Sequence, residues 1–457
     1  MDRPTQPARG MRDFLPDDVR RREYVIAVIT RVYRAYGFEP LETPAVENIE
    51  TLLGKYGEEG NKLIFKILRR GEHETTGEAD LALRYDLTVP LARVVAEHRG
   101  RLPKFFKRYQ VQPVWRADRP ARGRFREFYQ CDVDVVGSRS MVVEAELCAA
   151  VSDVLEQLGF TDFVIRLNHR LLLRGMLDTF GIPQAQHEQA LVSVDKLDKI
   201  GRSGVSDEFA ARGIPAEGGE RVLATFEAIA ALRSGVPGAE AFNEQVLARL
   251  RNDLPPTEAL AEALTDLGDI VRLSTGTSAG KHLAIDPSLA RGLSYYTGAI
   301  FEIAVADLAG SLGGGGRYDG LVGMFSGEDV PACGFSLGLE RILVVMGERK
   351  MFPEAVTRGS ADVLMTLFER EPPSHALAVA ADLRKSGLRV DVYPEVDKIG
   401  KQLKFASSRG VRFAVIIGES ERQADTVTIK DLTAGGQQTV PRTDAASYIM
   451  GLLNPKS

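Results

Sequence analysis

Cysteine is scarce in this 457-residue chain: Cys131, Cys148 and Cys333 are the only three, and none stands at metal-ligand spacing from another. That pattern argues against a zinc site and against a disulfide framework, and for reduced thiols. Long apolar runs are missing too. No uninterrupted stretch reaches membrane-spanning length, and the first residues carry no charged-then-apolar leader, so the expected location is the cytoplasm, away from any membrane. Nor is there a surplus of basic charge. Lys and Arg number 58 against 63 Asp and Glu, a net charge of -5, which excludes a uniformly basic nucleic-acid coat and confines any RNA contact to local patches. What remains, 44% hydrophobic and 26% charged residues, is the composition of a globular chain long enough for more than one domain.

Against that neutral background one stretch stands out, Lys104 to Gly137. Tyr109, Val111 and Val114 lead into Trp115. Phe128, Cys131, Val133, Val135 and Val136 follow Phe125. The pattern is strand, loop, strand, an antiparallel hairpin. Its loop, ADRPARGRFRE, is dense in arginine. Between Arg99 and Arg126 Asp118 is the sole acid, while Arg116, Arg119, Arg122, Arg124 and Arg126 all carry positive charge. Guanidinium forks at a hairpin tip suit bidentate capture of phosphate oxygens. On the outgoing strand Gln130, Asp132 and Asp134 share one face by the two-residue side-chain period, forming a floor that accepts donors from an amine or imidazole. The plain alternative is a solvated basic hairpin, but these arginines abut a polar strand in an otherwise apolar pattern.

Elsewhere, Asp17 or Asp18 is placed to cap a helix that carries Val25, Val28, Ile29, Val32 and Tyr33 at helical spacing and ends at Gly37. Phe38 to Val46 is extended, and its prolines restrict it to an edge or an interface. Leu81 to Leu87 suits a strand, and Thr88 with Pro90 suits a helix start. Asp86 at the junction is either a helix cap or part of a site. From Arg170 to Gly276 the pattern is helical, with breaks expected at Gly181, Gly201, Gly204, Gly213 and Pro255, and it reads as an inserted module. Sheet chemistry returns at Ile285 to Val305, preceding the glycine run of SLGGGGRYDGL, which serves either a close backbone approach or a tight bend. In CGFSLGLERILVVM a strand turns into a helix with Glu340 and Arg341 near its start. Arginine beside an already positive helix end calls for an anion. From Ala361 strands and helices alternate, predicting a separate α/β domain with a largely parallel sheet. Within it Lys398, Lys401 and Lys404 recur at helical spacing, while Leu403 and Phe405 are positioned to dock on the sheet.

Together these stretches resemble the histidyl-tRNA synthetases, which belong to the class II aminoacyl-tRNA synthetases, along essentially the whole chain. GFEPLETPAVE resembles the class's motif 1 at the dimer interface, the arginine hairpin resembles motif 2 and FSLGLERI motif 3. RGLSYYTGAIFE resembles the histidine-specific signature and GGGGRYDGL the segment after it. The resemblance implies a catalytic domain built on an antiparallel sheet (residues 1–169 and 277–351), a helical insertion (170–276) and a C-terminal α/β anticodon-binding domain (361–457). It implies ATP-dependent activation of histidine to the adenylate and its transfer to the 3' end of tRNA(His) by a homodimer, with ATP entering as a Mg2+ complex and no metal held by cysteine or histidine. In roles carried over by resemblance, Arg116 grips the ATP α-phosphate, Arg341 holds the γ-phosphate, and Arg124 and Phe125 frame the adenine. Arg291 contacts the α-phosphate and the histidine carboxylate. Asp86, Thr88 and Gln130 clamp the α-amino group, and Asp134 with Tyr295 or Tyr296 meets the imidazole. Lys398, Lys401 and Lys404 face the tRNA. This chain carries Asp86 and Asp134 where many members have Glu, and Ser294 where they have Asp. The rival is a non-catalytic paralogue, the regulatory subunit of ATP phosphoribosyltransferase, which has no need for the full arginine set or an anticodon-binding domain.

Overall fold

The computed structural model describes residues 5–69, 76–235, 238–290, 295–308, 310–357, 359–368 and 372–453. It divides into two compact units, Met1–Met351 and Phe352–Ser457.

The first unit is organised by an eight-stranded sheet in the order β1-β5-β6-β11-β10-β9-β7-β8. Its strands are β1 (Glu39–Pro40), β5 (Phe106–Trp115), β6 (Glu127–Val136), β7 (Val164–His169), β8 (Leu283–Ile285), β9 (Ala299–Ala304), β10 (Ser311–Arg317) and β11 (Ala332–Gly338). The interior pairs are antiparallel, while β1 on β5 and β8 on β7 are parallel and lie at the two edges. Pro40 therefore sits where a missing N–H costs the sheet nothing. A second sheet joins β2 (Val46–Asn48), β3 (Lys66–Leu68) and β4 (Ala79–Leu83) in the order β2-β4-β3. The strand expected over Leu81–Leu87 is thus β4, shifted toward the N-terminus, and the chain from Arg84 to Leu87 turns into the helix Thr88–His98.

The helix Pro16–Ala35 buries Val25, Val28, Ile29, Val32 and Tyr33, the face read from the sequence. Its start differs from the expected cap. Leu15 is the N-cap and Pro16 the first helical residue, so Asp17 and Asp18 fall inside the first turn and act on the helix dipole rather than by capping. Beyond β7 the chain runs through helices Arg170–Thr179, His187–Val194, Leu197–Ala211, Ala216–Leu232, Ala239–Asp253 and Glu258–Ser274. Gly201, at φ 67, kinks Leu197–Ala211, as expected. Gly204 does not break it, because it sits in the helix against Ile200.

The glycine run forms β10 itself, which selects close approach over a bend. A Cβ on Gly315 would lie 2.1 Å from the Gly334 carbonyl oxygen, and one on Gly313 2.5 Å from that of Ser336. No side chain fits between strands held this tightly.

The second unit has a five-stranded sheet in the order β13-β12-β14-β15-β16, built from Val363–Met365 (β12), Val390–Val392 (β13), Phe413–Ile416 (β14), Thr426–Asp431 (β15) and Gln437–Pro441 (β16). β12 pairs in parallel with β13 and β14, but β15 and β16 close the sheet as an antiparallel hairpin, so it is mixed rather than largely parallel. Helices Pro373–Lys385 and Ala445–Leu453 supply apolar side chains to the core around Val363, Phe413 and Val415. On the helix Ile399–Ser408 Phe405 packs, half-buried, against the cluster that holds Leu364 of β12, as expected, whereas Leu403 is only half-buried and the fully buried positions are Gln402 and Ala406. Gln402 is held because its amide bonds both backbone groups of Leu367, donating to the carbonyl at 2.7 Å and accepting from the N–H at 2.9 Å.

Candidate active site

The hairpin β5–β6 has the register Trp115↔Glu127 through Phe106↔Val136. Cys131, Val133 and Val135 of β6 are buried among apolar neighbours, and the Tyr33 hydroxyl reaches the Cys131 carbonyl at 3.4 Å. Alternation turns Gln130, Asp132 and Asp134 the other way. They stand opposite Gln112, Gln110 and Arg108 of β5 and opposite Gly338, Ser336 and Gly334 of β11. A polar row is thereby flanked by arginine and glutamine on one side and by the smallest residues on the other. The space is needed: a Cβ on Gly334 would lie 1.9 Å from Asp134 Oδ1.

Over this row opens a cavity of ≈ 250 Å³ whose walls include Asp86, Thr88, Arg116, Arg124, Phe125, Gln130, Tyr295, Tyr296 and Arg341. These residues lie far apart in sequence, and all had been singled out from it. Arg116 donates its backbone N–H to Arg126 O at 2.9 Å just past the end of β5, and its Nε donates to Tyr85 O at 3.0 Å. Its guanidinium is 4.3 Å from the Tyr85 ring centroid. Arg124 is steadied by Asp118, whose Oδ2 accepts from Nε at 3.0 Å. Arg341 Nη1 donates to Ser311 O at 2.6 Å from the first turn of Leu339–Glu348. Gly123, at φ +67, leaves room for it, since a Cβ there would stand 3.1 Å from Arg341 Cγ.

Asp86 lines the cavity and also holds the start of a helix, although Leu87 is that helix's N-cap. Its Oδ1 accepts the Val89 N–H at 3.0 Å, tying down the start of the helix Thr88–His98. The same carboxylate accepts from the Tyr56 hydroxyl at 3.0 Å and the Tyr295 hydroxyl at 3.2 Å. Burial pushes its pKa above the ordinary aspartate range, and the Val89 N–H, Arg116 and the two tyrosines pull back toward the charged form. The Gln130 amide nitrogen donates to Ser336 Oγ at 2.9 Å, whereas its Oε1 is buried and takes no hydrogen bond from the protein. An acceptor in that state calls for a donor from a ligand.

Asp134 differs in kind from the others. It is buried behind the cavity wall, with Oδ2 2.8 Å from Arg108 Nη2 and Oδ1 accepting from the Tyr318 hydroxyl. Burial raises its pKa and Arg108 lowers it. Asp132, buried alongside, is pushed up to about 7. Glu340 also lines the cavity. Its two oxygens accept the Tyr129 N–H at 3.0 and 3.2 Å, and burial pushes its carboxyl up to about 7. Arg291 and Ser294 lie outside the described residues.

Arg108, Tyr56, Tyr318 and Asp118 escaped the sequence reading. For Arg108 a signal existed: the hairpin register that pairs Trp115 with Glu127 also pairs Arg108 with Asp134. Tyr56 and Tyr318 reach the site from outside the strands that carry the carboxylates, and no local pattern marks them.

Lys398, Lys401 and Lys404 are exposed, as expected of a solvent-facing row. Lys401 Nζ is 3.0 Å from Asp397 Oδ2, an exposed pair.

Comparison with known proteins agrees with this geometry. Residues 10–342 match the family described as histidyl-tRNA synthetase and residues 363–452 the anticodon binding domain. A histidine–tRNA ligase of Gloeobacter violaceus is 42% identical over 470 residues, covering 97% of this chain and 98% of that one. A crystal structure of histidyl-tRNA synthetase from Nostoc superposes with a TM-score of 0.82 at 33% identity, covering 98% and 99%. A Bacillus halodurans structure titled as an ATP phosphoribosyltransferase regulatory subunit/histidyl-tRNA synthetase shares the fold at TM-score 0.71 and 22% identity, covering 90% and 98%. That likeness concerns fold alone and does not favour a regulatory role. By the match over most of its length and by identity to a full-length relative, the chain belongs to the histidyl-tRNA synthetase family.

Proposed function

We propose the following division of labour for the activity that family membership gives, the ATP-dependent joining of histidine to tRNA. Arg116 grips the α-phosphate of ATP, Arg341 the γ-phosphate, and Arg124 with Phe125 the adenine. Asp86, Thr88 and Gln130 receive the α-ammonium of histidine. Tyr295 or Tyr296 meets the imidazole, and Asp134 acts on it from behind the wall. Arg291 contacts the histidine carboxylate and the α-phosphate. The observation that carries this reading is that arginines suited to phosphate and acceptors suited to an ammonium group line one cavity. The buried, unbonded Oε1 of Gln130 supports the ammonium site most directly.

The chemistry follows from the charges. An oxygen of the histidine carboxylate bonds to the α-phosphorus and the bond to pyrophosphate breaks. Negative charge growing on the equatorial oxygens is met by fixed guanidinium groups, with no proton transfer required. A hydroxyl at the 3' end of the tRNA then attacks the activated carbonyl and AMP leaves. Mg2+ arrives as the companion of ATP. A polar pocket rejects an isostere lacking the hydrogen bond by orders of magnitude, so no editing domain is needed.

The tRNA(His) anticodon stem and loop is held by the second unit, with Lys398 and Lys404 tracking its backbone and unpaired bases read beside them. The working form is a cytoplasmic homodimer. The edge position of β1 and the exposed apolar side chains Val46, Leu53 and Leu68 on and around the small sheet support that assembly. The helices between 170 and 276 form the inserted domain. Pyrophosphate exchange run with each amino acid in turn tests the whole: histidine alone should support exchange, and Arg341→Ala should raise the KM for ATP while sparing that for histidine. Exchange with proline or glycine in place of histidine would overturn the reading.

A further inference from the structure

The segment before the first helix packs onto the arginine loop. Gly10 O accepts the Arg126 N–H at 2.8 Å, and Arg9 O accepts from Arg126 Nη1 at 3.4 Å. The approach is tight. Gly10 has φ +84, and a Cβ there would lie 2.8 Å from Arg126 Cγ and Cδ and 2.9 Å from Pro120 Cγ. This close fit lets the next residues build a ladder of alternating guanidinium groups and rings. Arg12 lies 4.0 Å from the Phe125 centroid and 4.4 Å from that of Phe14, and Arg22, from the first helix, lies 4.5 Å from Phe14 and 5.0 Å from Tyr129. The order is Phe125, Arg12, Phe14, Arg22, Tyr129. Phe125 lines the cavity and Arg12 does not, so the cation backs the ring. The far end of the ladder is fixed as well, because the Tyr129 N–H is held by Glu340.

We infer that Arg12 and Arg22 are positioning residues for the nucleotide, holding the Phe125 ring through a cation–π ladder that ties the N-terminal segment to the arginine loop. The inference rests on the assignment of Phe125 to the adenine. A ring stacked against a guanidinium on one side presents a fixed face to a purine on the other, and the loop that carries it loses its freedom before ATP arrives. Phe14 is the ring that both cations share. Tyr129 precedes Gln130 in β6, and alternation turns its side chain to the opposite face, so the ladder acts on the nucleotide side.

The test is a double-substitution cycle in the full-length enzyme, read by ATP–pyrophosphate exchange. Arg12→Ala should raise the KM for ATP about ten-fold, with the KM for histidine unchanged within two-fold. Arg12→Lys keeps the charge facing Glu340 but loses the flat stacking surface, and should fall between the two; it also serves if the alanine variant does not fold. Phe125→Ala alone should raise the KM for ATP, and adding Arg12→Ala to it should change the KM by less than two-fold, since the rung through which Arg12 acts is gone. Additive effects, or equal rises in both KM values, would overturn the ladder while leaving the site assignment intact. A Phe125→Ala enzyme with an unchanged KM for ATP would instead overturn the site assignment and the ladder with it.

Discussion

Removing Asp134 should damage the fold and the histidine site by separate amounts, and two substitutions tell them apart. Arg108 is 0% exposed, and Asp134 at 2.8 Å is its close counter-ion, with Asp132 at 3.8 Å. In Asp134→Ala the guanidinium keeps only Asp132, Gln110 Oε1 at 3.2 Å and Leu87 O at 3.4 Å. Breaking a buried pair by deleting one partner costs about 3–5 kcal/mol. Asp132 remains as a partial substitute and one of two adjacent negative charges disappears, so the cost should sit near the lower end, about 3 kcal/mol. The Tyr318 hydroxyl also loses its acceptor, at about 1 kcal/mol. The melting temperature of the first unit should fall by roughly 5 °C or more. Asp134→Asn keeps the shape and an acceptor for Tyr318, so it should melt closer to wild type. Histidine affinity, measured by calorimetry on the Asn variant, should still drop about ten-fold, because the negative charge that acts on the imidazole from behind the wall is gone, while ATP affinity holds. An alanine variant melting with wild type would refute the structural role of the pair. An asparagine variant binding histidine normally would refute the imaging of the imidazole through this carboxylate.

Further outcomes can be checked directly. Arg291→Ala should abolish adenylate formation, mainly through turnover, in a protein that stays folded by circular dichroism; near wild-type exchange would show the role is misplaced. Glu340 has its carboxyl near 7 in the fold against an ordinary 4.5, so the folded state holds the proton more tightly. Its contribution favours the fold at low pH and is lost as pH rises from 4.5 to 7, and Glu340→Gln should therefore lose less stability across that window, seen as a flatter plot of melting temperature against pH. Gly334→Ala should destabilise the first unit and weaken histidine binding together, because its Cβ would meet Asp134 Oδ1 at 1.9 Å; a variant with normal melting and affinity would contradict the crowding. Reversing the charge of Lys398, Lys401 and Lys404 should raise the KM for tRNA, leave that for ATP alone and flatten the salt dependence of tRNA binding, with the smallest share from Lys401, already paired to Asp397. An unaltered KM for tRNA would reduce the row to a solvated face.

The parts of the fold legible in the sequence are those fixed by short-range periodicity. Val25, Val28, Ile29, Val32 and Tyr33 mark one helix face because their spacing alone decides it, and the β5–β6 hairpin is marked by two apolar runs around a polar loop. What failed depended on competition between neighbours. Asp17 and Asp18 are good capping residues, but Pro16 fits the first helical position better, and the helix starts before either can cap it. Gly204 breaks a helix only if nothing compensates for it, and the Leu197–Ala211 helix continues through it. The mixed sheet of the second unit was hidden for another reason: parallel and antiparallel strands carry similar side chains, and only the short TAGG turn between β15 and β16 points to a hairpin.

The site divides along the same line. Residues of the cavity wall were visible because they break local expectations: arginines crowd a loop, a polar row interrupts an apolar strand, an arginine sits at a helix start. Residues behind the wall satisfy local expectations and so leave no mark. Arg12 and Arg22 read as ordinary surface charges, and Phe14 as a turn residue before a helix; their meaning exists only once Phe125 and Tyr129 are brought alongside in space. Arg108 reads as a basic residue in a basic stretch until the hairpin register sets it against Asp134. The wall tolerates little error in position, since a guanidinium acts on a phosphate oxygen only at hydrogen-bond distance, yet Arg116, Arg124 and Arg341 are long, flexible side chains. Rigidity must therefore come from their neighbours, two of which, Asp118 and Ser311, line the cavity themselves. Asp118 does this for Arg124, Tyr85 O for Arg116 and Ser311 O for Arg341. The wall can be read from residue types, whereas the supports need the fold, and substitutions of supports off the wall, such as Arg12 and Arg108, should shift KM values without touching any atom of the substrates.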